Sequence, residues 1–372
     1  MKTTFVSLFI GLVLMGSAKA QDELSFVFSS VPENISEEIW ITPWENSEAN
    51  KHGTRIAPNH RQYDEIKTYI YSSIESGRPP DVIEISIEQL DLLCEAGSLA
   101  ELDYQQLESG ASDAFRRDDF LDGTLHRCGV PIAIWNTLIV ARASSLKDRG
   151  DSEPVWTDFF HPEKIAGNRV VSHTGRLIAP LALLSTGVEQ QDVFETLSSE
   201  EGIRRTLEIS APLQGRIEDI GSSANFISST ENNAAAIGLL WETQLAQYDG
   251  IADDFVNLGA PPISEVAYLA IPAGSKNKEG AMEFIRFASS SERLAELQKK
   301  MGTGSPRLSS FDHFVQQCSE PKCGCKGSNQ CLKSCCDDDK HLFNLRLVDS
   351  PRFWEGDGAR VSETVKTSLG FQ

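Results

Sequence analysis

The segment from Ala267 to Arg307 limits the fold of this chain more than any other stretch of its sequence. Its first residues, Ala267–Ile271, predict a strand that ends at a Pro-Ala-Gly turn. A helix follows the turn, with Asn277 or Ser275 as its N-cap. Apolar residues recur along this helix at the spacing i, i+3, i+4, i+7: Ala281, Phe284, Ile285 and Ala288. One face of the helix is therefore expected to be buried.

A second helix is predicted directly after the first. Ser289 and Glu292 form an S-x-x-E capping box, a pattern in which each side chain satisfies a backbone N–H at the start of a helix. One stripe of this helix is apolar and consists of Leu294, Leu297 and Met301. A strand followed by two helices that each bury one face is typical of the α/β class.

Strands and helices alternate through much of the remaining chain. Strands are predicted at Leu24–Phe28, Asp81–Ile85 and Val130–Arg142, and helices at Tyr63–Ile74 and Ile87–Ala96. Such alternation predicts α/β lobes with largely parallel sheets. The 372 residues are enough for two domains.

The first twenty residues indicate where the protein functions. Lys2 precedes an apolar run, Phe5 to Met15, and the segment ends in Ala18-Lys19-Ala20, an A-x-A cleavage pattern. These features predict a signal peptide that is cleaved after Ala20, and hence a periplasmic protein. A membrane anchor is the alternative, but the apolar run is about half of what a bilayer requires.

The acidic composition argues against two classes of partner. The chain has 54 acidic and 34 basic residues, and its formal net charge is −20. Cleavage after Ala20 would remove Lys2 and Lys19 and take this charge to −22. Nucleic acids and anionic membrane surfaces would be repelled, so neither is expected as a partner. A cationic solute is compatible with this charge.

Several motifs carry a resemblance to a known family. The runs IPAGSKNKEGAMEFIRF, WTDFFHPEKIAG and AAAIGLLWE resemble, in this order, the segments that lead away from the ligand cleft, enter the second lobe and return to the cleft in periplasmic solute-binding proteins of ABC importers. The runs LLCEAGSLAELD and RCGVPIAIWNTLIVA resemble the spermidine/putrescine-binding branch of that family. This second resemblance implies a disulfide between Cys94 and Cys128, with two buried thiols as the alternative.

The resemblance implies a two-lobed periplasmic-binding-protein fold of type II, in which hinge strands join two mainly parallel sheets with flanking helices. It divides the chain into a signal peptide (1–20), the first part of lobe 1 (21–138), lobe 2 (139–264), a return to lobe 1 (265–309), a cysteine-rich insertion (310–341) and a closing C-terminal helix (342–372). Solute would bind in the cleft between the lobes, and closure of the lobes would be a hinge motion.

The same resemblance supplies candidate ligand-binding residues at the carboxyl ends of strands. They are Ser29, Ser30, Trp135, Asn136, Thr137, Arg176, Trp241, Glu242 and Glu265. Two positions depart from the polyamine-binding pattern. Ser29-Ser30 lacks the aromatic residue of the S-W-G motif, and Glu265-Val266-Ala267-Tyr268 replaces W-V-D-Y. The acidic charge is either absent or moved by two residues, which in a strand keeps it on the same face.

Six cysteines between Cys318 and Cys336 form an unusual cluster with the pattern C-x4-C-x-C-x5-C-x3-C-C. In an oxidising compartment this composition favours up to three disulfides. Binding of a soft metal such as Zn(II) or Cu(I), with help from His313 or His341, is the alternative. The C-x2-C pairs of common zinc sites are absent, so no metal ligands are assigned.

The sequence therefore predicts a non-enzymatic, monomeric binding protein that delivers a small solute to an ABC permease in the membrane. It contains no G-x-S-x-G elbow, H-E-x-x-H motif or P-loop, and no cofactor is expected. A polyamine is the favoured solute. A sugar or another organic solute is the alternative, and a metal-binding protein that uses the cysteine cluster is a further one.

Overall fold

The computed structural model describes residues 23–61, 63–108, 115–147, 153–171, 174–219, 235–243, 255–259, 263–318, 347–348, 353 and 357–371. The predicted signal peptide and the cysteine cluster beyond Cys318 lie outside these residues, so the cleavage site and the pairing of the clustered cysteines stay predictions. In the described part of the chain, no helix has both the length and the apolar character to cross a bilayer.

Lobe 1 contains three parallel strands in the order β2–β1–β3. They span Glu23–Phe28 (β1), Arg55–His60 (β2) and Val82–Ser86 (β3). Parallel pairing aligns Phe28 with His60 and Val27 with Ile83, so the carboxyl ends of all three strands reach the same edge of the sheet. β3 is buried along its whole length, as expected for a parallel strand that is covered on both faces.

Two antiparallel strands connect the lobes, β4 (Gly129–Arg142) and β9 (Ile263–Ala270). β4 pairs with β9 from Gly129 to Asn136 and with β7 (Ala235–Trp241) from Thr137 to Ala141. One strand therefore belongs to the sheet of lobe 1 in its first half and to that of lobe 2 in its second half. This arrangement confirms the crossing strand that the continuous apolar run from Val130 to Arg142 predicted.

Lobe 2 repeats the parallel arrangement with β5 (Asn168–Val171) between β7 and β6 (Ile217–Asp219). The complete sheet has the order β2–β1–β3–β9–β4–β7–β5–β6. β8 (Phe255–Asn257) pairs with β4, and β10 (Leu347–Val348) pairs with β9. The chain thus has the mixed α/β, two-lobed periplasmic-binding-protein fold that the sequence predicted.

Helices cover both lobes. Those of lobe 1 are α1 (Glu33–Ser36), α2 (Thr42–Glu45), α3 (Tyr63–Glu75), α4 (Ile87–Glu95), α5 (Tyr104–Glu108), α9 (Lys278–Ala288), α10 (Ser291–Met301) and α11 (Ser309–Cys318). Those of lobe 2 are α6 (Thr174–Ser185), α7 (Val193–Ser198), α8 (Glu200–Ser210) and α12 (Asp357–Leu369). Short 3-10 turns span Arg117–Asp119, Ala143–Leu146, Trp156–Phe160, Gln190–Asp192 and Ala211–Leu213, and a π turn spans Glu37–Ile41.

The two helices after β9 show how local sequence sets their limits. The Asn277 side chain accepts a hydrogen bond from the Gly280 N–H at 3.0 Å and caps α9, as predicted. The predicted capping box of α10 is wrong by one residue, because Ser290 is the N-cap and accepts from the Arg293 N–H. Ser289 instead belongs to the buried end of α9 and donates its hydroxyl to the Ile285 carbonyl oxygen. α10 ends at Gly302, whose φ of 71° favours glycine.

Separate apolar cores stabilise the two lobes. In lobe 1, Phe26 on β1 packs edge-to-face against Trp40 and Phe284, which links the central sheet to the π turn and to α9. In lobe 2, the buried face of α12, including Val361 and Val365, joins the core formed around α6 and β7. Two cores joined by a few crossing strands suit a molecule that bends at the strands between its lobes.

Cys94 in α4 and Cys128 just before β4 form the disulfide that the resemblance implied, with their Cα atoms 6.0 Å apart. Both residues are buried against the second core cluster of lobe 1. The bond fixes the amino end of a crossing strand to the helix that follows β3.

Candidate functional site

A cavity of about 150 Å³ lies where the two lobes meet the crossing strands. It is lined by Ser30 and Ser86 from lobe 1, Trp135, Glu265 and Ala267 from the crossing strands, and Arg176 and Trp241 from lobe 2. Five of these residues belong to the predicted set, and they come from five separate segments of the chain. A crevice at the carboxyl ends of strands is the usual position of a ligand site in α/β sheets.

Strand pairing explains why the crossing strands contribute these side chains. Trp135 lies directly opposite Glu265 in the antiparallel ladder, and Ala133 lies opposite Ala267. Side chains of opposed residues stand on the same face of the sheet, and so do those of residues two apart on one strand. Glu265 therefore presents its carboxylate on the face that Ala267 shares, and both line the cavity.

Lobe 2 supplies the other polar and aromatic groups. Arg176 lies in the first turn of α6, which begins shortly after the carboxyl end of β5. Trp241 is the last residue of β7 and pairs with Thr137 on β4. Both residues are partly exposed, as is appropriate for side chains that line a cavity.

The lining combines two indoles, one guanidinium and one carboxylate. Indole rings bind alkyl chains and attract cations across their faces. A guanidinium matches the geometry of a carboxylate, and a carboxylate such as that of Glu265 suits an ammonium group. The cavity is therefore complementary to a small molecule that has charged ends and an apolar middle.

Four other predicted residues are not among those that line this cavity in the described part of the chain. Asn136 donates from its side-chain amide to Oε1 of Glu242 at 3.2 Å, and it accepts from the Ser264 hydroxyl at 2.7 Å. The Thr137 hydroxyl accepts from the Ile263 N–H at 2.9 Å. These three predicted residues therefore join β4, β7 and β9 at the hinge.

The fourth residue is Ser29, whose backbone N–H donates to Oε2 of Glu84 at 3.0 Å. The Ser30 N–H donates to the same oxygen at 3.2 Å. Glu84 thus holds the loop after β1 at the edge of the cavity. A ligand role for Ser29 stays a prediction, while its neighbour Ser30 lies in the lining.

Burial raises the pKa of Glu242 to about 8, although donors from Asn136 and the Gly304 N–H lower it in part. Burial likewise raises the pKa of Glu84, which is fully buried, and the donors of Ser30 and Ser29 offset only part of this effect. Two carboxyls with raised pKa values therefore lie beside the cavity, Glu242 at the hinge and Glu84 under the loop that follows β1.

Three residues of this region were not predicted from the sequence. Ser86 and Ala267 line the cavity, and Glu84 supports its rim. Glu84 did leave a signal, because it is the single acid in the otherwise uncharged strand Val82–Ser86. An ionisable residue within such a buried run indicates a specific partner or role.

A larger groove of about 560 Å³ lies at the opposite end of the lobe 1 strands, beside the start of β1. Its lining includes Arg78, Asp81 and Lys276. Asp81 is engaged by the Ser25 and Ser275 hydroxyls, at 2.8 Å each, and ties two turns together. None of the predicted ligand residues is among the described residues that line this groove.

Comparison with known proteins places this architecture in a family. Residues 47–319 match the family described as bacterial extracellular solute-binding protein. The γ-aminobutyric acid-binding protein of Pseudomonas aeruginosa is 24% identical over 289 residues, which cover 76% of this chain and 77% of that protein.

Two solved structures are similar over nearly their whole length. The Atu4243 GABA receptor has a TM-score of 0.72 at 15% identity, and the aligned region covers 94% of this chain and 98% of the receptor chain. The spermidine/putrescine substrate-binding protein PotD of Streptococcus pneumoniae has a TM-score of 0.70 at 14% identity, with 94% and 99% covered. The family match spans well over half of the residues, so this chain belongs to the bacterial extracellular solute-binding proteins, the substrate-binding components of ABC transporters.

Proposed function

We propose that the two lobes of this protein close over a small amine at the cavity between Trp135 and Trp241, and that the closed form delivers the amine to the membrane permease of an ABC importer. The observation that carries this proposal is the composition of one cavity at the hinge. It brings two indoles, the Glu265 carboxylate and the Arg176 guanidinium together from both lobes and the crossing strands.

The opposite charges of the lining favour a solute that has both an ammonium and a carboxylate group. Glu265 suits the ammonium end, and Arg176 suits the carboxylate end in a bidentate pair. A cavity of about 150 Å³ is large enough for a benzene-sized guest. A short ω-amino acid has this size and charge pattern. The γ-aminobutyric acid-binding relative from Pseudomonas aeruginosa adds support for the same class.

A polyamine, which the sequence resemblance favoured, stays a prediction. Glu265 and the two indoles would accept a diamine such as putrescine, whereas Arg176 would repel its second ammonium group. A sugar would use hydroxyl–carboxylate and hydroxyl–guanidinium hydrogen bonds in the same cavity, but it carries no charges that would pair with Glu265 and Arg176. The three solute classes therefore differ in how they depend on Arg176.

Isothermal titration calorimetry with 4-aminobutyrate, putrescine and glucose tests this proposal. We expect 4-aminobutyrate to bind, and Arg176→Gln to weaken it by about 10-fold or more, because a charged hydrogen-bond pair is lost. Putrescine that binds the unaltered protein more tightly than 4-aminobutyrate does would favour the polyamine. Absence of binding by both amines would contradict the proposed function.

Export forms part of the same proposal. The family is extracellular, and the leader with its A-x-A end supports release into the periplasm after cleavage behind Ala20. N-terminal sequencing of protein secreted by a Gram-negative host is expected to begin at Gln21. A monomer is expected from size-exclusion chromatography with light scattering.

A further inference from the structure

Glu84 is a buried acid that is only half satisfied. Its side chain is inaccessible to solvent, and its Oε2 accepts two backbone N–H groups, those of Ser29 and Ser30. The Ser30 side chain also lowers the pKa of this carboxyl by hydrogen bonding. Its Oε1 has no hydrogen-bond partner among the residues that the structure describes. A buried polar atom without a partner costs free energy and calls for a specific explanation.

Glu84 lies close to two residues that line the cavity. Ser30, whose N–H it binds, and Ser86, two residues further along the same face of β3, both line the cavity. The Ser86 hydroxyl is likewise buried and without a partner among the described residues. Two polar atoms on the same face of β3 thus have no hydrogen-bond partner, within the described part of the chain, where lobe 1 borders the cavity.

The charges around Glu84 determine which solute group would form a favourable hydrogen bond with its oxygen Oε1. No described Lys or Arg forms an ion pair with Glu84, and the electrostatic effect of His60, which lowers the pKa of Glu84, is the smallest of the effects that act on this carboxyl. His60 ends β2 and lies opposite Phe28, with the two rings 5.3 Å apart. An ammonium group would supply the missing donors and stabilise the ionised form of Glu84, whereas a solute carboxylate would offer neither donors nor a positive charge.

We propose that Glu84 is a specificity-determining residue of the solute site: an ammonium group of the solute enters between Ser30 and Ser86 and donates to Oε1 of Glu84. This inference rests on the proposed function and assigns an orientation to it. The amine end points into lobe 1, and the other end of the solute points towards Arg176 in lobe 2. Binding then joins the two lobes through one molecule.

The alternative is that Glu84 only holds the loop of Ser29 and Ser30. Glu84→Gln separates the two roles, because its amide oxygen still accepts both N–H groups while the charge is lost. The readout is the ratio of the affinities for 4-aminobutyrate and butanoate, measured by calorimetry. Glu75→Gln, at an exposed position of α3, is the matched control.

We expect the unaltered protein and Glu75→Gln to prefer 4-aminobutyrate over butanoate, and Glu84→Gln to lose about 10- to 100-fold of this preference. An unchanged ratio in a folded Glu84→Gln protein would overturn the role of Glu84 and leave the proposed function standing. Failure of the unaltered protein to bind 4-aminobutyrate and putrescine would overturn both.

Thermal melting shows whether Glu84→Gln folds. If it does not, Glu84→Asp decides the question, because it keeps the charge but withdraws the carboxyl by one methylene. A lower affinity ratio in Glu84→Asp supports a direct contact with the amine. The same ratio as in the unaltered protein contradicts it.

Discussion

Glu242 at the end of β7 accepts hydrogen bonds from both the backbone N–H and the side-chain amide of Asn136 on β4, at 3.4 and 3.2 Å. Asn136 in turn accepts from Ser264 on β9. One carboxyl thus connects three strands at the point where the chain crosses between the lobes. Asn136 and Glu242 were predicted to contact solute, and the structure places both in the hinge beside the cavity.

This hinge carboxyl makes stability depend on pH. Because burial raises the pKa of Glu242 to about 8, the folded state holds a proton between about pH 4.5 and 8 that the unfolded state releases. The free energy of unfolding therefore decreases as the pH rises through this range, by at most about 1.4 kcal/mol per pH unit for one group. Glu242→Gln is expected to reduce this slope.

Urea unfolding at several pH values between 5 and 8 measures the effect. Part of the slope will persist in Glu242→Gln, because Glu84 also has a raised pKa and contributes with the same sign. Glu75→Gln serves as control and should leave the slope unchanged. Equal slopes for Glu242→Gln and the unaltered protein would show that Glu242 is ionised in the fold.

Loss of the Cys94–Cys128 disulfide should destabilise lobe 1. The bond closes a loop with a sequence separation of 34. On the chain-entropy model, a loop of this length corresponds to roughly 3–4 kcal/mol of the free energy of unfolding. We expect Cys94→Ala/Cys128→Ala to lower the free energy of unfolding, measured by urea denaturation, by about this amount. A decrease of less than a tenth of it would contradict the prediction.

Asp119 and Arg307 form a buried ion pair that anchors the segment after α10. The Arg307 Nε donates to Asp119 at 2.6 Å, and the Ser309 N–H donates to the same carboxylate at 2.8 Å. Arg307 is only 2% exposed, so Asp119→Ala would leave a buried guanidinium without its counter-ion. The expected cost is about 3–5 kcal/mol.

Chemical denaturation of Asp119→Ala, and of the double variant Asp119→Ala/Arg307→Met, tests this prediction. The double variant should recover part of the loss, because it removes the unpaired charge and keeps an apolar side chain of similar length. Equal destabilisation of both variants would instead locate the effect in the hydrogen bonds to Ser309.

Trp241 is expected to contribute to amine binding through its indole face. Trp241→Ala should weaken binding of 4-aminobutyrate by about 10-fold or more, because cation–π attraction and apolar contact are both lost. Leu308→Ala removes a side chain that is 46% exposed in lobe 1 and is the control. Calorimetry that shows the same affinity for both variants would exclude Trp241 from the solute site.

The state of the six clustered cysteines, disulfides or a metal site, can be tested in solution. If the six cysteines between Cys318 and Cys336 form disulfides, the native protein will show no free thiols before reduction. A metal site would instead show six thiols that become reactive only after addition of a chelator. Titration with a thiol reagent, before and after chelation, separates these two alternatives.

Local sequence determined most of the elements of this fold. The apolar run from Val130 to Arg142 predicted the crossing strand, and Asn277 predicted the start of α9, because periodicity and capping depend on neighbouring residues. The resemblance to polyamine-binding proteins supplied the Cys94–Cys128 pair. It also supplied Arg176 and Trp241, and no local pattern distinguishes Arg176 from an ordinary surface cation.

Only the tertiary structure decided which face each residue uses and which polar groups find partners. Trp135 and Asn136 are adjacent in the sequence, yet the pleat of β4 turns the first to the cavity and the second to the hinge. Asn136 meets Glu242 across 106 residues, and Ser29 meets Glu84 across 55. The pKa values and contacts of these carboxyls arise from burial by distant segments, which no local sequence window contains.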